Sequence, residues 1–304
     1  MDLRNKENIL SSCTLCPRMC RADRLGGKTG YCNQSAVLKA ARASLHMWEE
    51  PCISGSRGSG TVFFSGCPVR CIFCQNKDIV RGDAGKNIDT ERLSEIFLEL
   101  QDKGANNINL VTPTHFVPHI VEALDKARMD GLILPVVYNT SGYERTETLE
   151  MLEGYVDIYL PDFKYMEPGL AEEYSNAPDY PMVAKGALDV MVRQIGSCQL
   201  NQEGIMTKGV IVRHLVLPGN TKNSCEVLRY LYETYGNNIF ISIMNQYTPM
   251  PRMASHPLLG RRVTEREYTK VVDFAISLGI KNGFIQEGRT ASESFIPEFG
   301  GEGV

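Results

Sequence analysis

Thr61-Val62-Phe63-Phe64-Ser65-Gly66-Cys67-Pro68-Val69-Arg70-Cys71-Ile72-Phe73-Cys74 is the stretch on which the reading of this chain turns. Its first half is a β-branched and aromatic run bounded by glycine, which predicts a strand. Its second half places three cysteines at Cys67-x-x-x-Cys71-x-x-Cys74, directly behind that strand. Thiolates are the usual ligands of iron-sulfur clusters, and a four-iron cluster has four corners, so three ligands leave one iron open. A closed tetrahedral zinc site would need a fourth ligand and usually has two-residue spacings.

Outward from this loop, short β-branched or aromatic runs alternate with amphipathic helical segments. Strands are predicted near 61–66, 107–112, 133–139, 156–161, 209–216 and 239–244. Between them Leu93, Ile96, Phe97 and Leu100 recur at helical spacing behind Asp89, a predicted N-cap. Val117, Ile120, Val121 and Leu124 repeat the pattern, as do Ala187, Val190, Met191 and Ile195, then Val227, Leu228, Leu231 and Tyr235, and finally Tyr268, Val271, Val272 and Ala275. Alternation of this kind predicts an α/β fold with a parallel sheet, here a partial (β/α)6 TIM-type barrel. In such folds the reactive groups gather at the carboxyl ends of the strands. Those ends carry Thr112-Pro113-Thr114-His115, Asn139-Thr140, Asp162-Phe163-Lys164, Arg213-His214 and Asn245-Gln246-Tyr247.

A second cysteine group lies upstream: Cys13-x-x-Cys16-x-x-x-Cys20, with Cys32 after Gly30-Tyr31. Four thiolates in a small, Gly-rich, core-poor segment suit zinc or a single iron, which would help the segment fold; an auxiliary iron-sulfur cluster or free thiols are the alternatives. Residues 1–58 are therefore expected to form a Cys-rich metal-binding module and linker, ending in the flexible-looking run Ser54 to Gly60. Residues 59–290 are expected to form the barrel and 291–304 a frayed tail. Cys52, Cys198 and Cys225 stand alone, and buried structural thiols are the expectation for them.

Composition narrows the function classes. The 304 residues are 43% hydrophobic and 22% charged, enough for one large domain with a small appendage. With 32 Lys+Arg against 36 Asp+Glu the net charge is -4, and no basic block tracks a phosphate backbone, so no nucleic-acid partner is expected. The polar N-terminus and the lack of a long apolar run predict a cytoplasmic protein with no membrane partner. Seven of the ten cysteines fall in the two groups, which in a reducing compartment reads as metal ligation.

The Cys67, Cys71, Cys74 spacing, with Phe73 before the last cysteine, resembles the signature of radical S-adenosylmethionine (SAM) enzymes. From about Cys13 to about Gln286 the chain further resembles the pyruvate formate-lyase activating enzyme-like (PflX-like) radical SAM proteins. Gly60 to Cys67, Asn107 to His115 and Arg213-His214-Leu215-Val216-Leu217-Pro218-Gly219 carry that likeness. The resemblance implies that the three cysteines hold a 4Fe-4S cluster whose open iron binds SAM. Reduction of the cluster then cleaves SAM to methionine and a 5'-deoxyadenosyl radical, which takes a hydrogen atom from a substrate. It implies that Asp162, Lys164 and Arg213 help hold SAM, with Asn139 and Thr140 beside it. Turn formation explains Asn139 and Thr140 almost as well, and an exposed ion pair is the plain alternative for the charged residues. His115 is a further cofactor-binding candidate, and His214 and Tyr247 are candidate substrate contacts, though each also suits a packing role. Activating enzymes carry a Gly-Gly-Glu type motif where this chain has Thr112-Pro113-Thr114-His115. A low-potential electron donor such as flavodoxin or ferredoxin is implied, as is a protein or peptide substrate. Radical modification of a small molecule is the alternative, and a non-catalytic iron-sulfur electron carrier the remaining one.

Overall fold

The computed structural model describes residues 3–286 and 299–304. Ten strands form in chain order: β1 Leu38–His46, β2 Ser59–Phe64, β3 Lys86–Ile88, β4 Ile108–Val111, β5 Val136–Thr140, β6 Ile158–Pro161, β7 Gln199–Leu200, β8 Met206–Leu215, β9 Phe240–Met244 and β10 Gly283–Ile285. Their spatial order is β10-β9-β8-β6-β5-β4-β2-β1-β3, with β7 hairpinned onto β8. The run from β2 to β10 is parallel, and its first six members are the six predicted strands. β10 is an unforeseen seventh. β5 begins three residues later than expected, at Val136, because Pro135 has no N–H to give a ladder.

The predicted helical faces are the buried ones. Asp89 caps Thr90–Asp102 by accepting from the Arg92 N–H at 2.8 Å, and Leu93, Ile96, Phe97 and Leu100 of that helix are buried. Helices 117–129, 180–195, 221–235 and 265–278 repeat this arrangement, with Val272 half-buried at the edge of the last. They all pack on one face of the sheet, against Tyr138, Tyr159, Val210, Val212, Ile241 and Ile243 in one cluster and Val62, Phe64, Ile108 and Leu110 in another.

Successive side chains of a strand point to opposite faces, so the residues between these belong to the other face. There Val137, Ile158, Leu160 and Ile211 pack against Cys52 and Ile53 of the short helix Pro51–Ser54. The segment that supplies this cover follows β1, and two asparagines at the start of β4 fasten it: Asn106 donates to Ser54 O at 2.6 Å and Asn107 to Ile53 O at 2.9 Å. The run 54–60, expected to be a flexible linker, thus ends inside the sheet: Ser59 and Gly60 are buried residues of β2. Gly60 is required there by close packing, since a Cβ would stand 2.9 Å from Asn107 O.

Residues 38–46, within the segment assigned to the N-terminal module, form β1, paired antiparallel with β2 and β3. The end of the chain is not frayed as expected. Gly301 N–H donates to Ala41 O at 3.0 Å and Ala43 N–H to Glu302 O at 2.9 Å, so the last residues use backbone groups that β3 leaves open on β1. Residues 291–298 of the expected tail lie outside the described residues. Among the described residues no helix is long and apolar enough to cross a membrane. Of the isolated thiols, Cys52 is buried as expected, whereas Cys198 and Cys225 are only half-buried, being placed at the margins of the packed layers.

Candidate active site

The face that carries Val137, Leu160 and Ile211 carries Asn139, Asp162 and Arg213 one step further along each strand, as the two-residue repeat requires. Buried apolar contacts at the strand starts therefore set the polar groups at the strand ends. Arg213 is the hub. Its Nε donates to Asp162 Oδ1 at 3.0 Å, Nη1 to Glu49 Oε2 at 3.2 Å and Nη2 to Asn139 Oδ1 at 2.6 Å. Lys164 Nζ meets the second oxygen of Asp162 at 2.5 Å. Glu49 also accepts from Asn109 at 3.1 Å and from Asn139 at 3.3 Å.

The four charged side chains are only 10–17% exposed, so this is a desolvated network with two cations and two anions, not the surface pair that the plain alternative supposed. Burial works against ionised Asp162, but Lys164 and Arg213 outweigh it and hold the carboxyl below its usual range. Burial likewise works against Lys164, and Asp162 outweighs it, keeping the amine charged well above its usual value. Glu49 goes the other way: burial pushes its carboxyl up against the pull of Arg213 and Asn109.

Behind β2 the cysteine loop folds over this network. Gly66 makes the turn at φ 90°, and it backs onto Cys32 O, which a Cβ would approach to 2.5 Å. Val69 N–H points at Cys67 Sγ at 3.4 Å and Ser175 Oγ at Cys71 Sγ at 3.0 Å, while Ile72 N–H is held by Tyr174 O at 2.9 Å. Burial raises the Cys67 thiol to about 11 and the Cys74 thiol to about 12, with the neighbouring loop cysteines adding to it. Such thiols ionise only against a positive partner, as a metal supplies.

Two adjoining cavities share Cys71, Cys74, Asn139, Asp162, Lys164 and Arg213 among their walls; Cys67, Thr112 and Thr140 are among those that complete one, and His46, Trp48, Glu49 and Tyr247 among those that complete the other. The three cysteines and five of the six expected cofactor contacts are thus brought to one mouth. His115 is the exception. Its ring is buried behind Gly66, with Nε2 against Ser65 O at 2.6 Å, and burial drives it down to about 3; it lines neither cavity because the cysteine loop intervenes. His214 has both ring nitrogens engaged, by Phe163 O at 2.7 Å and Ser224 Oγ at 2.9 Å, which is a packing role. Tyr247 lines the mouth while its hydroxyl donates to Leu259 O at 2.6 Å.

Two residues at or beneath the mouth, Glu49 and Glu144, escape sequence reasoning, and Thr112, expected only as part of a strand end, has an unforeseen conformation. Glu49 lies in the segment read as module and linker, where the available signal is two adjacent acids, Glu49-Glu50, leading into the apolar Pro51-Cys52-Ile53. Thr112 ends β4 at φ 57°, a left-handed conformation costly for a β-branched residue, and its N–H donates to Asn139 O at 2.9 Å. Glu144, 1% exposed, accepts from Thr114 at 2.6 Å, from Tyr138 at 3.3 Å and from Thr140, joining the ends of β4 and β5 beneath the cavity.

Residues 61–186 match the family described as the Radical SAM superfamily. The chain is 28% identical over 278 residues to Uncharacterized protein MJ0674 of Methanocaldococcus jannaschii, a match covering 88% of this chain and 75% of that protein. Among solved structures it resembles the FeFe-hydrogenase maturase HydG from Carboxydothermus hydrogenoformans, with a TM-score of 0.50, 12% identity and coverage of 77% of this chain and 59% of that one. It also resembles Streptococcus suis SuiB bound to precursor peptide SuiA, with a TM-score of 0.48, 12% identity and coverage of 73% and 47%. The chain therefore spans about half the length of the SuiB chain and 59% of the HydG chain, and at 12% identity the likeness to HydG is one of fold.

A radical SAM domain implies a 4Fe-4S cluster and SAM. The residues present fit that pair. Three thiols open on one cavity, and polar hydrogens are directed at two of the sulfurs, the arrangement that tunes cluster ligands. Among the described residues no three Cys, His, Asp or Glu side chains are gathered to hold a single metal ion. A cluster makes no such demand, since each thiolate meets a different iron.

Proposed function

We propose that this protein is a radical SAM enzyme that generates a 5'-deoxyadenosyl radical and removes a hydrogen atom from a protein or peptide partner, in the manner of the activating enzymes. One observation carries the reading: Cys67, Cys71 and Cys74 share a mouth with a buried ion network on the strands opposite. When bound, the cluster and SAM supply the electron transfer and sulfonium cleavage that make the radical.

The chain's own residues bind and orient. Lys164 uses one of its three ammonium hydrogens on Asp162 and offers the rest to the carboxylate of the methionine portion. Asp162, ionised by its two cations, orients that lysine and accepts from an adenosine hydroxyl. Arg213 holds Asn139 and Glu49 in line, and Asn139 and Thr140 flank the cofactor on β5. Strained Thr112 presents the end of β4 where activating enzymes carry their glycines and glutamate. In the same reading Cys13, Cys16, Cys20 and Cys32 hold a second metal, and a flavodoxin or ferredoxin delivers the electron in the cytoplasm.

A macromolecular partner is favoured by the rim. Trp48, 64% exposed, stands at the edge of the mouth, and tryptophan is the residue type most enriched among interface anchors. The test supplies SAM and reductant to the reconstituted protein with either the macromolecular or the small-molecule fraction of a cell extract. Stimulation of 5'-deoxyadenosine formation by the macromolecular fraction alone is expected. Stimulation by the small-molecule filtrate alone would favour modification of a metabolite instead.

A further inference from the structure

The N-terminal cysteines are built onto the back of the Cys67 loop, and their surroundings call for negative charge. Arg24 is 1% exposed, yet its donors go only to Ser35 O at 3.1 and 2.7 Å, His115 O at 2.6 Å and Cys13 Sγ at 3.7 Å. No carboxylate of a described residue pairs with it. A buried cation without an anion is strongly unfavourable, and thiolates ligating a metal centre beside it would supply the missing charge. Three of the four thiols, Cys13, Cys16 and Cys32, are buried, and Gly30 marks where two of them close in: a Cβ there would stand 3.0 Å from Cys20 Sγ and 3.7 Å from Cys32 Sγ. The segment also holds Met19, Arg21 and Asn33 at φ 40°, 51° and 64°, conformations that persist only where the surroundings over-determine them.

From this module two arginines reach the cysteine loop. Arg18 Nε donates to Pro68 O at 2.8 Å, and its Nη atoms to Asn176 O at 2.5 Å and Ser175 O at 3.2 Å, the serine whose hydroxyl points at Cys71 Sγ. Arg24 holds His115 O, and the His115 ring in turn holds Ser65 O, two residues before Cys67. Both arginines are carried by backbone that the four cysteines bracket.

We propose that Cys13, Cys16, Cys20 and Cys32 hold a thiolate-ligated iron-sulfur cluster, which unlike a single ion does not need its ligands gathered round one point, and that its task is to set the conformation of the Cys67–Cys74 loop, through Arg18 and Arg24. The charge of the bound thiolates holds Arg24 in place, and the closed cysteine turns hold Arg18 against Pro68 and Ser175. The inference rests on the reading of the Cys67 loop as the cluster loop, and it makes the second centre a precondition for a correctly shaped first one.

The test uses the full chain with Cys67, Cys71 and Cys74 all replaced by serine, so that bound metal belongs to the N-terminal thiols. Purified anaerobically after growth with zinc and iron, it is expected to hold about one centre per chain, and the four N-terminal thiols to resist alkylation until the metal is stripped. Iron with inorganic sulfide supports the cluster; zinc, or iron without sulfide, overturns it. Absence of metal together with alkylation at free-thiol rates overturns it. In the same background, stripping the metal is expected to speed amide hydrogen exchange over residues 66–76 about tenfold while β5 and β6 stay unchanged. Arg18→Met is expected to speed exchange over the same residues with the metal retained. Unchanged loop exchange in both samples overturns the coupling. Neither measurement depends on SAM cleavage, so failure here and failure of the proposed activity give different results.

Discussion

Without the guanidinium of Arg213, Glu49 and Asp162 would share a desolvated pocket with only Lys164 to balance them. Arg213→Met is therefore expected to cost about 3–5 kcal/mol of stability, the range for breaking a buried ion pair from one side. Chemical denaturation checks this; a loss under about 1 kcal/mol would mean that the network is solvated. Glu144 makes a prediction in pH. Burial, opposed by hydrogen bonds from Thr114, Thr140 and Tyr138, raises its carboxyl from 4.5 to about 7. A folded-state value above the unfolded one means that its contribution is fully present below about 4.5 and is lost as pH rises through 7. Between pH 5 and pH 8 the wild-type chain should lose on the order of 3 kcal/mol relative to Glu144→Gln. Parallel pH profiles for the two would contradict the assignment. At this scale the sequence was legible where chemistry and strand period coincide: Asp162, Lys164 and Arg213 each follow an apolar run at a strand end. It was silent on Glu49, which is more than a hundred residues from Arg213 in the chain and meets it only because its segment crosses the inner face.

Among the elements, the segment covering that face hangs on two asparagines. Asn107 accepts from Ser59 Oγ at 2.6 Å and donates to Ile53 O, so Asn107→Leu strands a buried hydroxyl and a buried carbonyl. The expected cost is about 3 kcal/mol, with Glu49 released from the mouth as a consequence. Thermal unfolding measures the first effect; a variant as stable as the wild type would show that the segment needs no such fastening. The helices were legible because each buries a stripe at 3.6-residue spacing, from Leu93 to Leu100 as from Val227 to Tyr235, and the six parallel strands because each is a short β-branched run. β1 was not, since Leu38–His46 carries Lys39, Arg42 and three alanines, and its pairing with β2 is a property of two segments jointly. The docking of Gly301 to Val304 on β1 escaped for the same reason: an edge offers backbone groups, which the side-chain pattern does not record.

For the whole molecule, the N-terminal residues and the barrel strands are parts of one sheet and one mouth. β1 extends the sheet, the segment behind it sends Glu49 to the ion network, and the Cys13–Cys32 module backs onto the loop that carries Cys67, Cys71 and Cys74. On the proposed reading this mouth cleaves SAM at a cluster held by those three cysteines. The direct measurement is anaerobic reconstitution of the full chain with iron and sulfide, reduction, and addition of SAM, with Cys71→Ala treated identically. The wild-type chain is expected to form 5'-deoxyadenosine and methionine in equal amounts, at a rate at least about a hundredfold above the variant, which retains two of the three ligands the open-iron site needs. Equal, background-level 5'-deoxyadenosine from both chains would show that this mouth does not cleave SAM.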